Sequence, residues 1–526
     1  MTKFISTEEA VRLIPDGAAV GVGGFCGFGA PDSLLIEMGR QYARCGHPGG
    51  LTIVTPASAG DGNEDGWGLS ALRGEGQIRA LYSSVVKLPP AINRAVNENR
   101  IAGYFLPLGL FGQLFRAAAG GEPGVLTHVG LGTFCDPRQE ACLMNDLARN
   151  SGAEVVRLMP IDGKDYLFYP VIPIEVALIR GTYADEDGNI SREREAVLSE
   201  ETELAGAVHN RGGIVIAEVE QIVKRGTLDP RKVAIHKRCV DYVVLSKPGE
   251  HPHTYTVPEY RPELVGEIKV PLTNVAPMKM GLRKVVARRA AMELRKGALV
   301  NLGLGISDGI SVVANEEGVA DQFTMTIETG LIGGVPLTGL DLGIGIDPEA
   351  RYRMADIFDL YNGGGLDQAF LSGAEIDRFG NVNVSMFNGK VAGPGGFINI
   401  AQNAPRVCFS GIFTAGKEQD IRVEDGRLNI VRDGDIVKYV RQVDQITFSG
   451  KYAAETGKEV LFISERCVMK LTGEGLMVTE IAPGVDLKRH ILDKMEFEPL
   501  ISPSLKLMDA RIFKDEPMGL VLKEEM

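Results

Sequence analysis

Glu328 is the side chain whose setting best suits covalent chemistry. It stands in Phe323 to Pro336, F-T-M-T-I-E-T-G-L-I-G-G-V-P, where Phe323, Met325 and Ile327 alternate with Thr324 and Thr326. That period of two, with its β-branched residues, predicts a short strand ending at Glu328. Gly330, Gly333, Gly334 and Pro336 follow as a loop whose backbone can approach a ligand closely. A carboxylate at the C-terminal end of a strand, facing a glycine-rich loop, occupies the place where open α/β sheets bind ligands. Taken alone, the segment equally describes a solvated loop acid. As a chemical group, a glutamate with a reference pKa of about 4.3 is ionised at neutral pH and can attack a carbonyl with no neighbouring base. Its product is an anhydride, so the electrophile must already be activated, as a thioester is. The tetrahedral oxyanion must also be held, and backbone N–H groups of glycine loops can do this, each contributing about 3 kcal/mol.

Other chemistries fit less well. Gly23 and Gly303 follow strand-like runs, but neither loop keeps the G-x-G-x-x-G spacing of a dinucleotide site, since Gly309 comes one place late after Gly305. Asp61 to Gly66 resembles the start of a calcium loop, yet Leu72 stands where a bidentate Glu is required. His251 and His253 form an H-x-H pair without a cysteine or third histidine near them in sequence, which reads as a solvated linker pair. There is no G-x-S-x-G elbow, and only 7 histidines are available to serve as a base. No metal site is expected.

The elements that must position Glu328 read as one unit written twice. Ser6 and Glu9 have capping-box spacing ahead of Ala10, Val11 and Ile14, which predicts a helix ended by Pro15-Asp16-Gly17. Ala18 to Val22 then reads as a buried strand feeding Gly23-Gly24-Phe25-Cys26-Gly27-Phe28-Gly29-Ala30-Pro31. In the second half, residues 285–296 are helical in period, Gly297 stops them, and Ala298 to Leu302 leads into Gly303-Leu304-Gly305. Gly17, Val20 and Gly23 match Gly297, Val300 and Gly303 at an offset of 280; Leu51–Thr55 matches Phe323–Ile327 at 272. Gly188-Asn189-Ile190 matches Gly380-Asn381-Val382 at 192, and Asn210 matches Asn403 at 193. The falling offset implies an insertion of roughly 80 residues in the first copy of an internal duplication. Continuous apolar runs such as 213–217 and Tyr242–Leu245 alternate with helical stretches, as in parallel sheets covered on both faces. The expected fold is therefore α/β: two tandem, duplicated domains with mainly parallel sheets. The boundary falls in Ser246–Met280, which holds six of the 27 prolines, giving residues 1–245, a connector over 246–280, and residues 281–526 with Glu328.

Composition narrows the classes. A chain of 526 residues with 44% hydrophobic and 24% charged residues is globular and too long for one core. Its 65 glycines signal many tight turns and ligand-facing loops. A net charge of −13 argues against nucleic acid as the main partner. Seven cysteines without a C-x-x-C pair, no secretory leader at M-T-K-F-I-S-T-E-E-A and no apolar run of eighteen point to a reduced, cytoplasmic protein with no membrane association.

Several of these segments together resemble the family I CoA-transferases. Asp16-Gly17, the apolar strand and Gly23-Gly24-Phe25 with Gly29 and Pro31 are similar to that family's N-terminal signature. Thr326-Ile-Glu328-Thr-Gly330-Leu-Ile-Gly333-Gly334-Val-Pro336 resembles the segment bearing its catalytic glutamate, and Gly380–Ser385 with Gly389 to Phe397 resembles its later glycine-rich stretch. Arg511-Ile-Phe with Pro517 to Leu520 resembles the single-chain branch of acetate, propionate and 3-oxoacid CoA-transferases, which act in short-chain fatty acid and ketone body metabolism. The resemblance implies an active site between the halves and ping-pong transfer through a glutamyl-CoA thioester at Glu328. Coenzyme A is then substrate and covalent intermediate, with no prosthetic group. Gly23, Gly24 and Phe25 would wall the acyl pocket. Gly303, Gly305, Gly395 and Gly396 would supply oxyanion donors and CoA contacts, and Lys390 would meet a CoA phosphate or remain a solvated turn lysine. The family habit is a homo-oligomer, dimer or tetramer. Gly21, Ser307-Asp308 and Asn399 depart from the family pattern and bear on substrate choice and loop shape. The alternatives are an acyl-CoA hydrolase, in which water replaces the acceptor acid, and a non-catalytic ligand sensor.

Overall fold

Ser6 and Glu9 close a capping box that opens α1 (Thr7–Arg12): the Ser6 hydroxyl accepts from Glu9 N at 3.2 Å and the Glu9 carboxylate accepts from Ser6 N at 2.9 Å. The structure, a computed structural model, describes residues 2–270, 277–303, 305–307 and 309–524. Leu304, Asp308 and the connector residues 271–276, Pro271 among them, lie outside the described residues. The chain divides into two compact units. The first comprises the chain up to Lys269 together with Glu328–Asp359 and Gly389–Gly396; the second comprises Val270–Ile327, Leu360–Asn388 and the chain from Phe397 onward. The units thus do not follow a single cut through the proline-rich stretch.

In the first unit the buried runs form β1 (Ala19–Val22), β2 (Leu51–Val54), β3 (Ile78–Ser83), β4 (Ala102–Phe105), β5 (Val176–Asp185), β6 (Ile214–Val223) and β7 (Tyr242–Leu245). With Lys3–Phe4 at one edge they make a parallel sheet in the order β7-β6-β5-β1-β2-β3-β4. The helices α2 (Asp32–Cys45), α3 (Gly109–Gly120) and α4 (Glu201–Asn210) follow β1, β4 and β5. Gly21 sits in β1 because Leu204 of α4 packs onto it: a β-carbon there would lie 2.6 Å from Leu204 Cδ1.

The second unit repeats the plan. Its helix α5 (Leu282–Ala291) is followed by β8 (Leu299–Leu302), β9 (Thr324–Thr326), β10 (Gln368–Leu371), β11 (Arg406–Ser410) and β12 (Glu459–Ile463). These strands pair in parallel in the order β9-β8-β10-β11-β12, the order of β2-β1-β5-β6-β7. Individual hydrogen bonds repeat as well. Glu175 Oε2 accepts from Ala19 N at 2.9 Å, and Asp367 Oδ2 from Leu299 N at 2.7 Å. Asp185 Oδ2 accepts from Asn189 Nδ2 at 2.8 Å, and Asp377 Oδ2 from Asn381 Nδ2 at 3.0 Å. Between β2 and β5 the first unit carries β3, β4, α3 and a three-stranded antiparallel sheet that ends at Pro170.

Two sequence expectations change. The helix read over 285–296 ends at Ala291 because buried Gln368 takes up the backbone beyond it, accepting from Arg295 N at 2.9 Å and donating to Glu293 O at 2.8 Å. His251 and His253 are not solvated. His253 is 6% exposed, and His251 lies between Glu195 and Glu218, 3.7 and 3.5 Å from their carboxylates. The segment is drawn into the first unit by Arg180, itself buried, whose Nη2 donates to Pro252 O at 2.8 Å. Among the described residues no helix is long and apolar enough to cross a membrane.

Candidate active site

Glu328 follows β9 directly and belongs to the first unit. Its residue is half-buried, and burial pushes its carboxyl pKa up to about 7, against the pull of a hydrogen bond from the Gly396 amide. This departs from the reference value of an exposed glutamate: burial brings the protonated form within reach at neutral pH. Gly396 is glycine because the carboxyl occupies the space a side chain would need; a β-carbon there would overlap Oε2 and come within 3.0 Å of Phe358 Cζ. Phe358 is fully buried in α6 (Met354–Asn362) and forms one wall beside the carboxyl.

The Gly23–Pro31 loop supplies another wall. Phe25 and Phe28 exchange backbone hydrogen bonds of 2.9 Å each way, closing a turn with Cys26 and Gly27 at its tip. Cys26 takes φ 47°, and burial followed by the Glu328 charge raises its thiol pKa to about 12, so it remains a thiol at neutral pH. Phe25 is 5% exposed, and Phe28 is fully buried. Both rings reach the segment opposite: a β-carbon on Gly343 would stand 3.3 Å from Phe25 Cε1, 3.7 Å from Phe28 Cε2 and 2.8 Å from Thr329 Cγ2. The Thr329 hydroxyl donates to Gly343 O, fixing the residue after Glu328. Gly23 is backed by Glu201, whose Cγ would lie 2.8 Å from a β-carbon, and Gly24 packs its Cα face on the Ala30 backbone at φ 105°. Gly23, Gly24 and Phe25 thus share one loop, and its aromatic rings share a cluster with the Glu328 segment.

The expected amide donors separate by what they already bind. Gly395 N donates to Ser84 O at 3.0 Å, and Gly395 O accepts from Leu108 N at 3.0 Å. Those two bonds pin the segment between the end of β3 and the start of α3 and direct the next amide, that of Gly396, at Glu328. Gly303 and Gly305 lie in the second unit. The Gly303 amide is engaged with Phe370 O at 2.7 Å, while Gly305, at φ 94°, offers its carbonyl to Arg283 Nη2 at 2.8 Å. Lys390 is exposed and opens the two-residue strand Lys390–Val391, directly after the turn at Asn388 and Gly389. Cys26, Thr329, Gly343 and Phe358 were not singled out from the sequence. Cys26 and Thr329 had a local signal, their places inside the Gly23–Pro31 loop and the Glu328 segment. Among the described residues no group of three or more His, Cys, Asp or Glu side chains is placed to hold a metal.

A desolvated carboxyl, a backbone N–H directed at it and a protonated thiol and aromatic wall beside it suit attack on a preactivated acyl group. The comparisons with known proteins agree with that chemistry. Residues 4–246 match the family model described as Coenzyme A transferase. The chain is 41% identical to the acetate CoA-transferase YdiF of Escherichia coli K12, over 99% of this chain and 97% of the other. It is also 41% identical to the caffeate CoA-transferase of Acetobacterium woodii, over 99% of both chains. A solved structure of the E. coli O157:H7 acyl-CoA transferase YdiF, a thioester complex with CoA, superposes with a TM-score of 0.92 at 40% identity, covering 100% of this chain and 98% of that one.

Proposed function

Because the chain belongs to the coenzyme A transferase family and is an enzyme of that type, we propose that it passes CoA from a short-chain acyl-CoA to an acid such as acetate, propionate or acetoacetate, with Glu328 as the covalent carrier. The observation that carries this reading is the Glu328 carboxyl, desolvated and met by the Gly396 amide. In its ionised form one oxygen attacks the thioester carbon, the C–S bond breaks, and an acyl-glutamyl anhydride and CoA thiolate result. The thiolate then attacks the Glu328 carbonyl carbon, forming the glutamyl-CoA thioester and releasing the donor acid as its carboxylate. An acceptor carboxylate runs the two steps in reverse, so no proton or redox equivalent is consumed. The Gly396 N–H, which meets the Glu328 carboxyl, is positioned to hold the oxyanion formed at the glutamyl carbon. CoA is substrate and intermediate, and the walls formed by Phe25, Phe28 and Phe358 limit water at the thioester. Membership of an enzyme family removes the sensor alternative, and a relative solved as a thioester complex with CoA supports the same intermediate in this chain.

The test is to incubate the protein with acetyl-CoA, quench it in acid and analyse its peptides. The expected product is a CoA adduct on the peptide containing Glu328, absent from Glu328→Ala, and discharge by propionate yields propionyl-CoA. An unmodified peptide in the native enzyme would overturn the mechanism. Rapid loss of the adduct to water, with no gain in propionyl-CoA, would make the enzyme a hydrolase.

A further inference from the structure

The Gly23–Pro31 loop beside Glu328 is held from outside by one residue of the proline-rich stretch. Residues 253–258 close on themselves: His253 N donates to Pro258 O at 2.9 Å, Thr254 N to Val257 O at 3.2 Å, and Val257 N to the Thr254 hydroxyl at 2.9 Å. Tyr255, at the tip of that turn, directs both of its donors at the loop. Its N–H donates to Gly27 O at 3.1 Å, and its hydroxyl donates to Asp32 Oδ1 at 2.9 Å. Gly27 lies at the tip of the Phe25–Phe28 turn, and the fully buried Asp32 opens α2 directly after Pro31. One residue thus spans the second half of the loop. Its neighbour ties the segment opposite, since the Thr256 hydroxyl donates to Asp341 Oδ1. That segment already touches the loop: Leu340 O would stand 3.0 Å from a β-carbon on Gly27, so glycine there lets the two lie together. All of these residues belong to the first unit.

The loop needs such support. Cys26 holds φ 47°, a conformation that a residue with a side chain adopts at a cost, and the Tyr255 amide fixes the carbonyl of the residue after it. The support is itself fixed. Trp67 stacks on the Tyr255 ring, centroids 5.9 Å apart and planes 14° apart, and Asp32 Oδ1 also accepts from Gly68 N at 2.9 Å. If Gly27 and Asp32 were released, the Phe25 and Phe28 rings could leave the Thr329–Gly343 segment and let water reach the Glu328 carboxyl. We propose that Tyr255 is a positioning residue for CoA transfer: by tying Gly27 and Asp32 it holds the Phe25–Phe28 turn against the Glu328 segment and shields the glutamyl-CoA thioester from water. The consequence for transfer rests on the reading of Glu328 as the covalent carrier; the tie on the loop does not.

Two measurements on the full-length enzyme test the proposal. The rate at which methyl methanethiosulfonate labels Cys26, read by peptide mass spectrometry, reports on the loop without any reaction at Glu328. Tyr255→Phe keeps the ring, its stack on Trp67 and its amide, and is expected to speed Cys26 labelling at least threefold; Tyr255→Ala is expected to speed it at least tenfold. Cys135 and Cys142, both fully buried in the same unit, should keep their native rates. The second measurement is the lifetime of the CoA adduct formed from acetyl-CoA without an acceptor acid. It is expected to fall at least threefold in Tyr255→Phe and further in Tyr255→Ala, so that hydrolysis gains on transfer to propionate. Unchanged Cys26 rates in both variants, or an acceleration shared equally by Cys135 and Cys142, would overturn the tie. Faster Cys26 labelling with an unaltered adduct lifetime would overturn the positioning role. An adduct missing from the native enzyme counts against Glu328 as carrier, and the Cys26 rates then still decide whether Tyr255 holds the loop.

Discussion

Glu328 is held where its charge is costly. Its pKa of about 7 in the fold, against 4.5 for the free side chain, means that folding disfavours the carboxylate that the transfer chemistry needs. The sign of the linkage follows. Below pH 4.5 the group is protonated whether the chain is folded or not and costs nothing; the penalty grows between the two pKa values and is complete above about pH 7. Glu328→Gln keeps an oxygen for the Gly396 amide and removes the charge. It is therefore expected to stabilise the protein by about 2 kcal/mol at pH 8 and by a negligible amount at pH 4.5, as read from urea midpoints, while abolishing transfer. The same titration sets activity: kcat/KM for acyl-CoA should rise with pH and level off above about 7, where the nucleophile is ionised. A stability gain that is equal at both pH values would show that the carboxyl is not desolvated.

At the scale of elements, the site depends on a short glycine turn pinned by others. Ser84 at the start of the loop after β3 and Leu108 just before α3 hold Gly395 from both sides, so Gly396 is delivered to Glu328 with little freedom. Gly396 does not have a positive φ, so an alanine there meets no backbone strain, and the obstacles are the Glu328 carboxyl and the Phe358 ring edge. Gly396→Ala should therefore lower kcat at least a hundredfold and destabilise the enzyme by about 2 kcal/mol. In a Glu328→Ala background much of that destabilisation should disappear, because the two substitutions relieve one overlap. Additive urea midpoints in the double variant would contradict the geometry. Sequence reasoning reached this turn as a glycine-rich stretch but could not rank its amides. Whether an N–H is available depends on partners far away in the chain: Phe370 O for Gly303, Ser84 O for Gly395. The wall residue Phe358 carries no local signal at all, since a phenylalanine on a helix reads as core.

Across the whole molecule, what the chain repeats was legible and how it is woven was not. The offsets of 280, 272 and 192 are the distances between equivalent strands, and they survive as duplicated hydrogen bonds because an Asp-x-x-x-Asn turn or a strand-opening carboxylate is a local pattern. The unit boundaries were not local. Proline density suggested a free connector, yet Arg180 and the two histidines draw residues before Lys269 into the first unit, and Glu328–Asp359 and Gly389–Gly396 return to it from much later in the chain. Those returning segments supply structural partners. Arg353 Nη1 donates to the buried Glu203 at 2.8 Å, Met354 N donates to Leu198 O at 2.9 Å, Arg116 pairs with Asp356 and Asp359, and Val86 N donates to Ala392 O at 3.1 Å. Losing these bonds together leaves the buried Glu203 to Arg116 alone, at 3.5 Å, and draws on the roughly 5 to 15 kcal/mol that holds a domain together. A fragment of residues 1–269 is therefore expected to be aggregated or to lack near-ultraviolet circular dichroism when produced alone. Co-expression with residues 270–526, which restores both segments, should give soluble protein with the native signal. A 1–269 fragment that unfolds cooperatively by itself, with a urea midpoint near that of the whole chain, would mean that the late segments decorate the first unit instead of completing it.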